Sequence, residues 1–261
     1  MNRAPKEEAS FAPTFEGISN FRDFGGAATA RGPIRSGVLF RSGDHSSATD
    51  LDLARLSELK VTTIIDLRRP DERRRVPCRR CEGVQLIEND EEAEDDWRAH
   101  IARGDLSEAG FSAYLVAYYA KAPFQPRLID LYSRYFQALG EREGAILIHC
   151  AAGKDRTGIL AALTLHLLGA HEDDVLADYL LSNDPARFAL HLPRLARTVE
   201  EISGRKAEEA AIIAAMGVRA EYLAAALSAI QEDGGLETYL AVRMGIDAPL
   251  RMAIEGRLLG A

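Results

Sequence analysis

Cys150 and Arg156 stand six positions apart in the stretch Ile148-His149-Cys150-Ala151-Ala152-Gly153-Lys154-Asp155-Arg156-Thr157-Gly158. The run Ala145-Ile146-Leu147-Ile148 is short, apolar and β-branched, as a buried strand is, and Thr157 to Leu168 has helical spacing. The loop between them therefore opens at a helix N-terminus. Free backbone N–H groups there, curled round a glycine and backed by the positive end of the helix dipole, favour an anion. A tetrahedral phosphate fits, and the planar fork of Arg156 can hold two of its oxygens at once, which a lysine cannot do. Cys150 sits at the base of that cradle, in a field that favours its nucleophilic thiolate form. A thiolate facing a bound phosphate is placed for in-line attack on phosphorus.

Other readings of the loop explain less of it. A free cysteine can pack as a small hydrophobe, but that leaves Gly153, Arg156, Thr157 and Gly158 without a reason for their register. A nucleotide-binding loop fails because the position five before Gly153 is Ile148 rather than glycine, and Lys154 is followed by Asp155 rather than Ser or Thr. Sulfur transfer and arsenate reduction also use a cysteine at the head of an anion loop, yet they give Asp155 and Thr157-Gly158 no evident task.

The run from His149 to Gly158 resembles the C-x5-R signature of cysteine-dependent protein tyrosine and dual-specificity phosphatases. Its inner part, Gly153 to Gly158, is most like an atypical bacterial branch with phosphoinositide activity, which includes enzymes secreted by intracellular pathogens. Three further stretches carry the same resemblance: Asn20-Phe21-Arg22-Asp23-Phe24-Gly25-Gly26; the pair Phe40-Arg41-Ser42-Gly43 and Ile65-Asp66-Leu67-Arg68; and Val218-Arg219-Ala220-Glu221-Tyr222-Leu223. The resemblance spans most of the chain, about residues 14 to 245. The signature loop is highly specific and the flanking stretches moderately so.

The chemistry also needs a proton donor for the leaving oxygen. In the common tyrosine phosphatases that donor is an aspartate on a separate loop after a tryptophan, but here Trp97 is followed by Arg98 and Ala99. The resemblance points instead to Asp155 as the acid, with Asp66 at the end of its strand in reserve. Each has a non-catalytic alternative: a salt bridge bracing the loop for Asp155, and a grip on Arg68 or loop amides for Asp66. The implied mechanism has Cys150 attack phosphorus while Arg156 and the loop amides hold the equatorial oxygens. Asp155 protonates the leaving group, and water then hydrolyses the cysteinyl-phosphate. Ala151, Ala152, Gly153, Lys154, Thr157 and Arg41 are the expected substrate-binding residues, with Thr157 easing departure of the sulfur and His149 ordering the loop. No metal or cofactor is required. Lys154 resembles the basic loop residues of phosphatases that accept inositol phospholipids; a solvated or salt-bridged lysine is an equally good reading.

These residues need a scaffold, and the chain spells one. Gly37 to Arg41 and Val61 to Leu67 read as strands around a helix from Leu51 to Leu59, which follows a Thr49-Asp50 cap; Val84 to Ile87 is a further strand. Alternation of strands and helices predicts an α/β fold, a mainly parallel central sheet flanked by helices with the site at the carboxyl ends of the strands. Pro126 suits a first helical turn, with Leu128, Tyr132, Phe136 and Leu139 on one face before Gly140. Beyond Gly169 nearly all is helical, punctuated by Gly217, Gly234-Gly235 and Gly245. Residues 1–261 form one phosphatase domain in this reading, with a helical lid at about 90–140 and a helical C-terminal region at 170–261. Phe111, Tyr114, Leu115, Tyr118 and Tyr119 serve equally well as core or lid.

With 261 residues, 47% hydrophobic, the chain can bury a sizeable core. Its net charge of -8 argues against a nucleic-acid partner, so the anion site is a local feature. No apolar run approaches the ~20 residues of a transmembrane span, and the first fifteen residues lack the apolar core of a secretory signal. Three cysteines make no disulfide framework, which fits a reducing, cytoplasmic setting; export without a signal is left open by the resemblance. Cys78-Arg79-Arg80-Cys81 is a lone C-x-x-C. The basic segment Arg68 to Arg80 reads as a solvated face or an extension of the anion site, and Glu88 to Asp96 as a solvated acidic loop. The expected partners are phosphorylated protein and phosphoinositide substrates. Two functions remain: a phosphomonoesterase for phosphotyrosine, extending to phosphoserine, phosphothreonine and phosphoinositides, or a phosphate-binding pseudoenzyme. Cys150, Asp155 and Arg156 together favour turnover, since binding alone needs neither thiol nor acid.

Overall fold

In the computed structural model, residues 14–93 and 96–259 are described. Most of the leading segment read for a signal therefore falls outside them, as do Glu94 and Asp95 of the acidic run. The elements in order are β1 (Arg22–Asp23), β2 (Ala28–Thr29), β3 (Gly32–Pro33), β4 (Leu39–Ser42), α1 (Asp50–Glu58), β5 (Val61–Asp66), α2 (Pro70–Arg75) and β6 (Gln85–Ile87). Then come α3 (Asp96–Arg103), α4 (Glu108–Lys121), α5 (Pro126–Glu141), β7 (Ala145–His149), α6 (Asp155–Leu167), α7 (Glu172–Leu180) and α8 (Pro185–Ser203). The chain closes with α9 (Glu209–Met216), α10 (Ala220–Glu232), α11 (Leu236–Thr238) and α12 (Ala248–Leu258). The predicted α/β class and its four main strands are present.

The sheet runs β1-β4-β7-β5-β6, and only β1 is antiparallel. β7 is central, and its register sets Ser42 and Asp66 beside His149. The carboxyl ends of β4, β5 and β7 therefore meet at one edge, where the loop after β7 emerges. Side chains on a strand alternate between faces. Ala145 and Leu147 go to a small core under α1 with Phe40, Leu56 and Ile64, while Ile146, Ile148 and Cys150 go to the main core with α4, α5 and α6. That parity puts Cys150 on the α6 side of the sheet.

Helix starts follow local chemistry. Thr49 caps α1 in a reciprocal box with Asp52, and Pro126 opens α5 at its first turn. Nearly every residue of α6 from Thr157 to Leu167 is buried, so this helix is apolar all round and carries the loop from inside the core. The region around 90–140 divides in two. α5 belongs to the main core through Leu128, Leu131, Tyr132, Tyr135, Phe136 and Leu139. α3 and the start of α4 instead join α8 and α9 in a separate apolar cluster of Ile101, Phe111, Val199, Ile212 and Met216, with Trp97 packed against it. This cluster walls one side of the site. Among the described residues no single helix is long and apolar enough to cross a membrane; α9 and α10 reach that length only as a pair bent by 43°.

Candidate active site

The loop from Cys150 to Lys154 is held with its carbonyls turned outward. The Ala151 carbonyl accepts from the Asp44 amide at 3.0 Å. Asn20 Nδ2 donates to the Ala152 and Gly153 carbonyls at 3.0 Å each, and Arg41 Nη2 donates to the Gly153 carbonyl at 2.9 Å. The amides of residues 151–156 donate to nothing among the described residues. Outward carbonyls turn successive amides inward, which is the geometry of an anion nest. Gly153 makes the turn at φ +69°, and a Cβ there would lie 2.3 Å from the Ser42 carbonyl oxygen, so no other residue fits.

Cys150, 1% exposed, lies at the floor of a cavity of about 690 Å³. Asp155, Arg156 and Lys154 line the same cavity, as do Trp97, Tyr114 and Tyr118. Arg156 points the end of its guanidinium at Glu72, with Nη1 to Oε2 at 2.6 Å and Nη2 to Oε1 at 2.8 Å, while Nη1 also reaches the Leu67 carbonyl at 3.2 Å. The side edge, Nε–H with the second Nη2 hydrogen, is the fork left for two phosphate oxygens. Burial works against the charge of Glu72, but Arg156 and Arg69 hold its carboxyl well below the usual carboxylate range. Burial likewise opposes the charge of Arg156, and Glu72 more than restores it. Tyr132 donates to the Arg156 carbonyl at 2.8 Å. The hydroxyl of Thr157, fully buried, has no partner among the described residues.

Asp155 accepts at Oδ1 from the Tyr119 phenol at 2.9 Å and from Lys154 Nζ at 3.0 Å. Lys154 also donates to the Gly217 carbonyl at 3.2 Å and is 6% exposed. It is a salt-bridged lysine, turned to Asp155 rather than to solvent. His149 Nδ1 lies 3.2 Å from the Cys150 carbonyl oxygen, its ring stacks on His45, and burial lowers its pKa while Asp66 raises it.

Two expected site residues lie elsewhere: Asp66 by strand parity, and Arg41, though on the same face of the sheet as Cys150, by its pairing with Asp178. Leu39 faces the main core, so Arg41, two residues on, points to the same side and under α7. There it is fully buried, paired to Asp178 at 2.5 Å, and braces the loop from behind instead of touching the cavity. Arg22 pairs with the same Asp178 at 2.8 Å. Asp66 follows Ile64 on the opposite face of the sheet from Cys150. Both of its oxygens accept from Arg68, between 2.7 and 3.1 Å, and it lines a second cavity of about 450 Å³ behind the loop. Burial opposes its charge, yet His149 and the Arg68 fork draw its carboxyl down to about 2. Asp66, Cys78 and His149 offer oxygen, sulfur and nitrogen within 4.8 Å of one another, a set that could ligate a metal. The Arg68 guanidinium already occupies that place, donating to Asp66 and, at 2.9 Å, to Cys78 Sγ.

A model of the tyrosine phosphatase family matches residues 13–260. This chain belongs to the tyrosine phosphatase family. It is 34% identical over 280 residues to the triple specificity protein phosphatase PtpB of Mycobacterium tuberculosis, covering 94% of this chain and 96% of that protein. It is 33% identical over 250 residues to a Cupriavidus necator protein named as a tyrosine-protein phosphatase, covering 89% and 84% of the two chains. A tyrosine-protein phosphatase of Nostoc commune matches 57% of this chain at 31% identity. The protein is thus a phosphatase, a hydrolase of phosphorylated substrates, and the resemblance read from the signature loop is correct. The cysteine-based mechanism is general to this phosphatase family.

Several residues that hold the phosphatase site were not picked out from the sequence as site residues. Glu72 lies inside the basic segment, where an acid reads as one more solvated ion pair. Asn20 belongs to a stretch that carried the resemblance, but nothing local showed that its amide braces a loop more than a hundred residues away. Tyr119 and Tyr179, the latter donating to the former at 2.7 Å, sit among aromatics that packing alone would explain. Arg187 and His191 reach the cavity from α8, which no motif marked.

Proposed function

We propose that this phosphatase acts on phosphotyrosine, and beyond it on phosphoserine, phosphothreonine and phosphoinositide head groups, through a cysteinyl-phosphate on Cys150. The observation that carries the reading is Cys150 in one cavity with Asp155 and Arg156, on a loop whose carbonyls at 151–153 are taken by outside donors while its amides have no partner among the described residues. In the first step the Cys150 sulfur forms a bond to phosphorus as the bond to the leaving oxygen breaks. Asp155 gives that oxygen a proton, while Arg156 and the amides hold the three equatorial oxygens. In the second, a water oxygen attacks phosphorus, its proton goes to Asp155, and sulfur leaves as thiolate. Thr157, whose buried hydroxyl lacks a partner among the described residues, donates to that sulfur.

Substrate range follows from the cavity. Trp97, Tyr114 and Tyr118 line it and offer an aromatic wall for the ring of an aryl phosphate. Arg127, Arg187, His191 and Arg194 also line it, which supports polyanionic head groups. M. tuberculosis PtpB, named for triple specificity, supports the same breadth. The three free cysteines favour a reducing compartment.

The test is hydrolysis of phosphopeptides, phosphoinositides and a series of aryl phosphates by wild type and Asp155→Asn. Loss in Asp155→Asn should be about tenfold for nitrophenyl phosphate and about 10³-fold or more for phenyl phosphate, whose leaving group needs the proton. Equal losses across the series would remove Asp155 from the acid role.

A further inference from the structure

The general acid of this site is held by more than its own loop. Asp155 offers two carboxyl oxygens, and the surroundings treat them differently. Oδ1 takes both the Tyr119 phenol and the Lys154 ammonium, while Oδ2 accepts from no donor among the described residues. The side chain is 21% exposed and lines the cavity. An oxygen that already accepts two hydrogen bonds is the poorer place for a proton, because an O–H there would have to displace a donor. The proton of the acid form therefore belongs on Oδ2.

We propose that Tyr119, backed by Tyr179, is a positioning residue of the phosphatase reaction, fixing Asp155 so that Oδ2 alone holds and delivers the proton. The inference rests on the reading of Asp155 as the acid. Tyr119 comes from α4 and is fully buried, so its phenol has one pose. Its ring meets Tyr179 edge-on at 6.2 Å and Tyr222 at 5.8 Å. The Tyr179 hydroxyl from α7 donates to the Tyr119 oxygen at 2.7 Å, which polarises the Tyr119 O–H toward Asp155. Burial, with the Asp155 charge, raises both phenols, so they stay protonated donors throughout the working pH range. The chain Tyr179, Tyr119, Asp155 thus ties the loop helix α6 to α7 and to α4. Loss of the Tyr119 donor has two effects in one direction. The carboxylate formed on proton donation loses a hydrogen bond, and Oδ1, left with the Lys154 ammonium alone, competes better with Oδ2 for the proton.

The experiment measures kcat/KM for aryl phosphates of graded leaving-group acidity with wild type, Asp155→Asn, Tyr119→Phe, Tyr179→Phe and Tyr222→Phe. Tyr222 belongs to the same aromatic cluster but bonds Ser112 Oγ, so its phenylalanine variant reports packing and hydroxyl loss alone. Tyr119→Phe should lose about tenfold on phenyl phosphate and no more than about twofold on nitrophenyl phosphate, steepening the leaving-group dependence. Tyr179→Phe should show the same pattern at about threefold, and Tyr222→Phe should keep the wild-type slope. A Tyr119→Phe enzyme with a wild-type slope, whether fully active or uniformly slowed, would overturn the inference while Asp155→Asn remains steep. A flat Asp155→Asn profile would instead overturn the acid assignment itself.

Discussion

Glu72→Gln tests how Arg156 is set for phosphate. The wild-type pair is bidentate and mostly buried, with side chains 16% and 11% exposed. At about 4 Å between charge centres and an effective dielectric of about 20, the attraction is about 4 kcal/mol, and desolvation of both groups offsets a good part of it. Glutamine keeps one acceptor and one wrong-way donor, so Arg156 loses one of its two anchors and its fixed aim. A loss of about 2 kcal/mol in transition-state stabilisation corresponds to roughly a 30-fold fall in kcat/KM. The assay is steady-state hydrolysis of nitrophenyl phosphate, paired with thermal melts from about pH 7 to about pH 3. Glu72 has its folded carboxyl depressed below the ordinary 4.5. Its stabilisation is therefore complete above that pH and is lost as pH falls toward the folded value. The melting gap between wild type and Glu72→Gln should be widest at neutral pH and narrow below about pH 4.5. If Glu72 instead blocks the arginine that phosphate needs, the variant will match or exceed wild type in kcat/KM, and a positioning role for Glu72 on Arg156 is refuted.

Two other substitutions probe the frame of the loop. Gly153→Ala puts a Cβ against the Ser42 carbonyl in a left-handed residue, so activity should drop to about 1% of wild type or less; a fully active variant in the same assay would show that the loop tolerates another path. Asp178→Asn leaves Arg22 and the buried Arg41 sharing no carboxylate, at about 3 to 5 kcal/mol. Calorimetry should then show Tm lower by roughly 10 °C, and an unchanged Tm would contradict the bracing role of Arg41.

The parts of this site that could be read in the sequence are those where neighbours in the chain are neighbours in space. Cys150 to Thr157 close one turn, so their types and spacing carried the chemistry. The apolar runs 61–67 and 145–148 were long enough to announce strands, and Thr49 and Pro126 announced helix starts. β1, β2 and β3 are two residues each, too short for any period, and their positions come from pairing. Glu72 and Tyr119 reach the loop, and Asp178 reaches the Arg41 that braces it, from separate helices, and only the folded sheet decides which acids and phenols arrive there. Asp66 shows the reverse: counting alternate residues from Ile64 would have put it on the face opposite Cys150, whereas Arg41 shares the face of Cys150 and is held away from the cavity by Asp178. The aromatics of 90–140 served equally well as core or lid because helical spacing does not reveal which core a helix joins.

The central claim is that phosphate passes through Cys150. Rapid quenching of wild type and Asp155→Asn during turnover of a phosphotyrosine peptide, followed by mass spectrometry of the peptide that contains Cys150, tests it directly. The expected result is phosphate on the Cys150 sulfur and no turnover in Cys150→Ser. Turnover that survives Cys150→Ser, or phosphate carried on another residue, would contradict it.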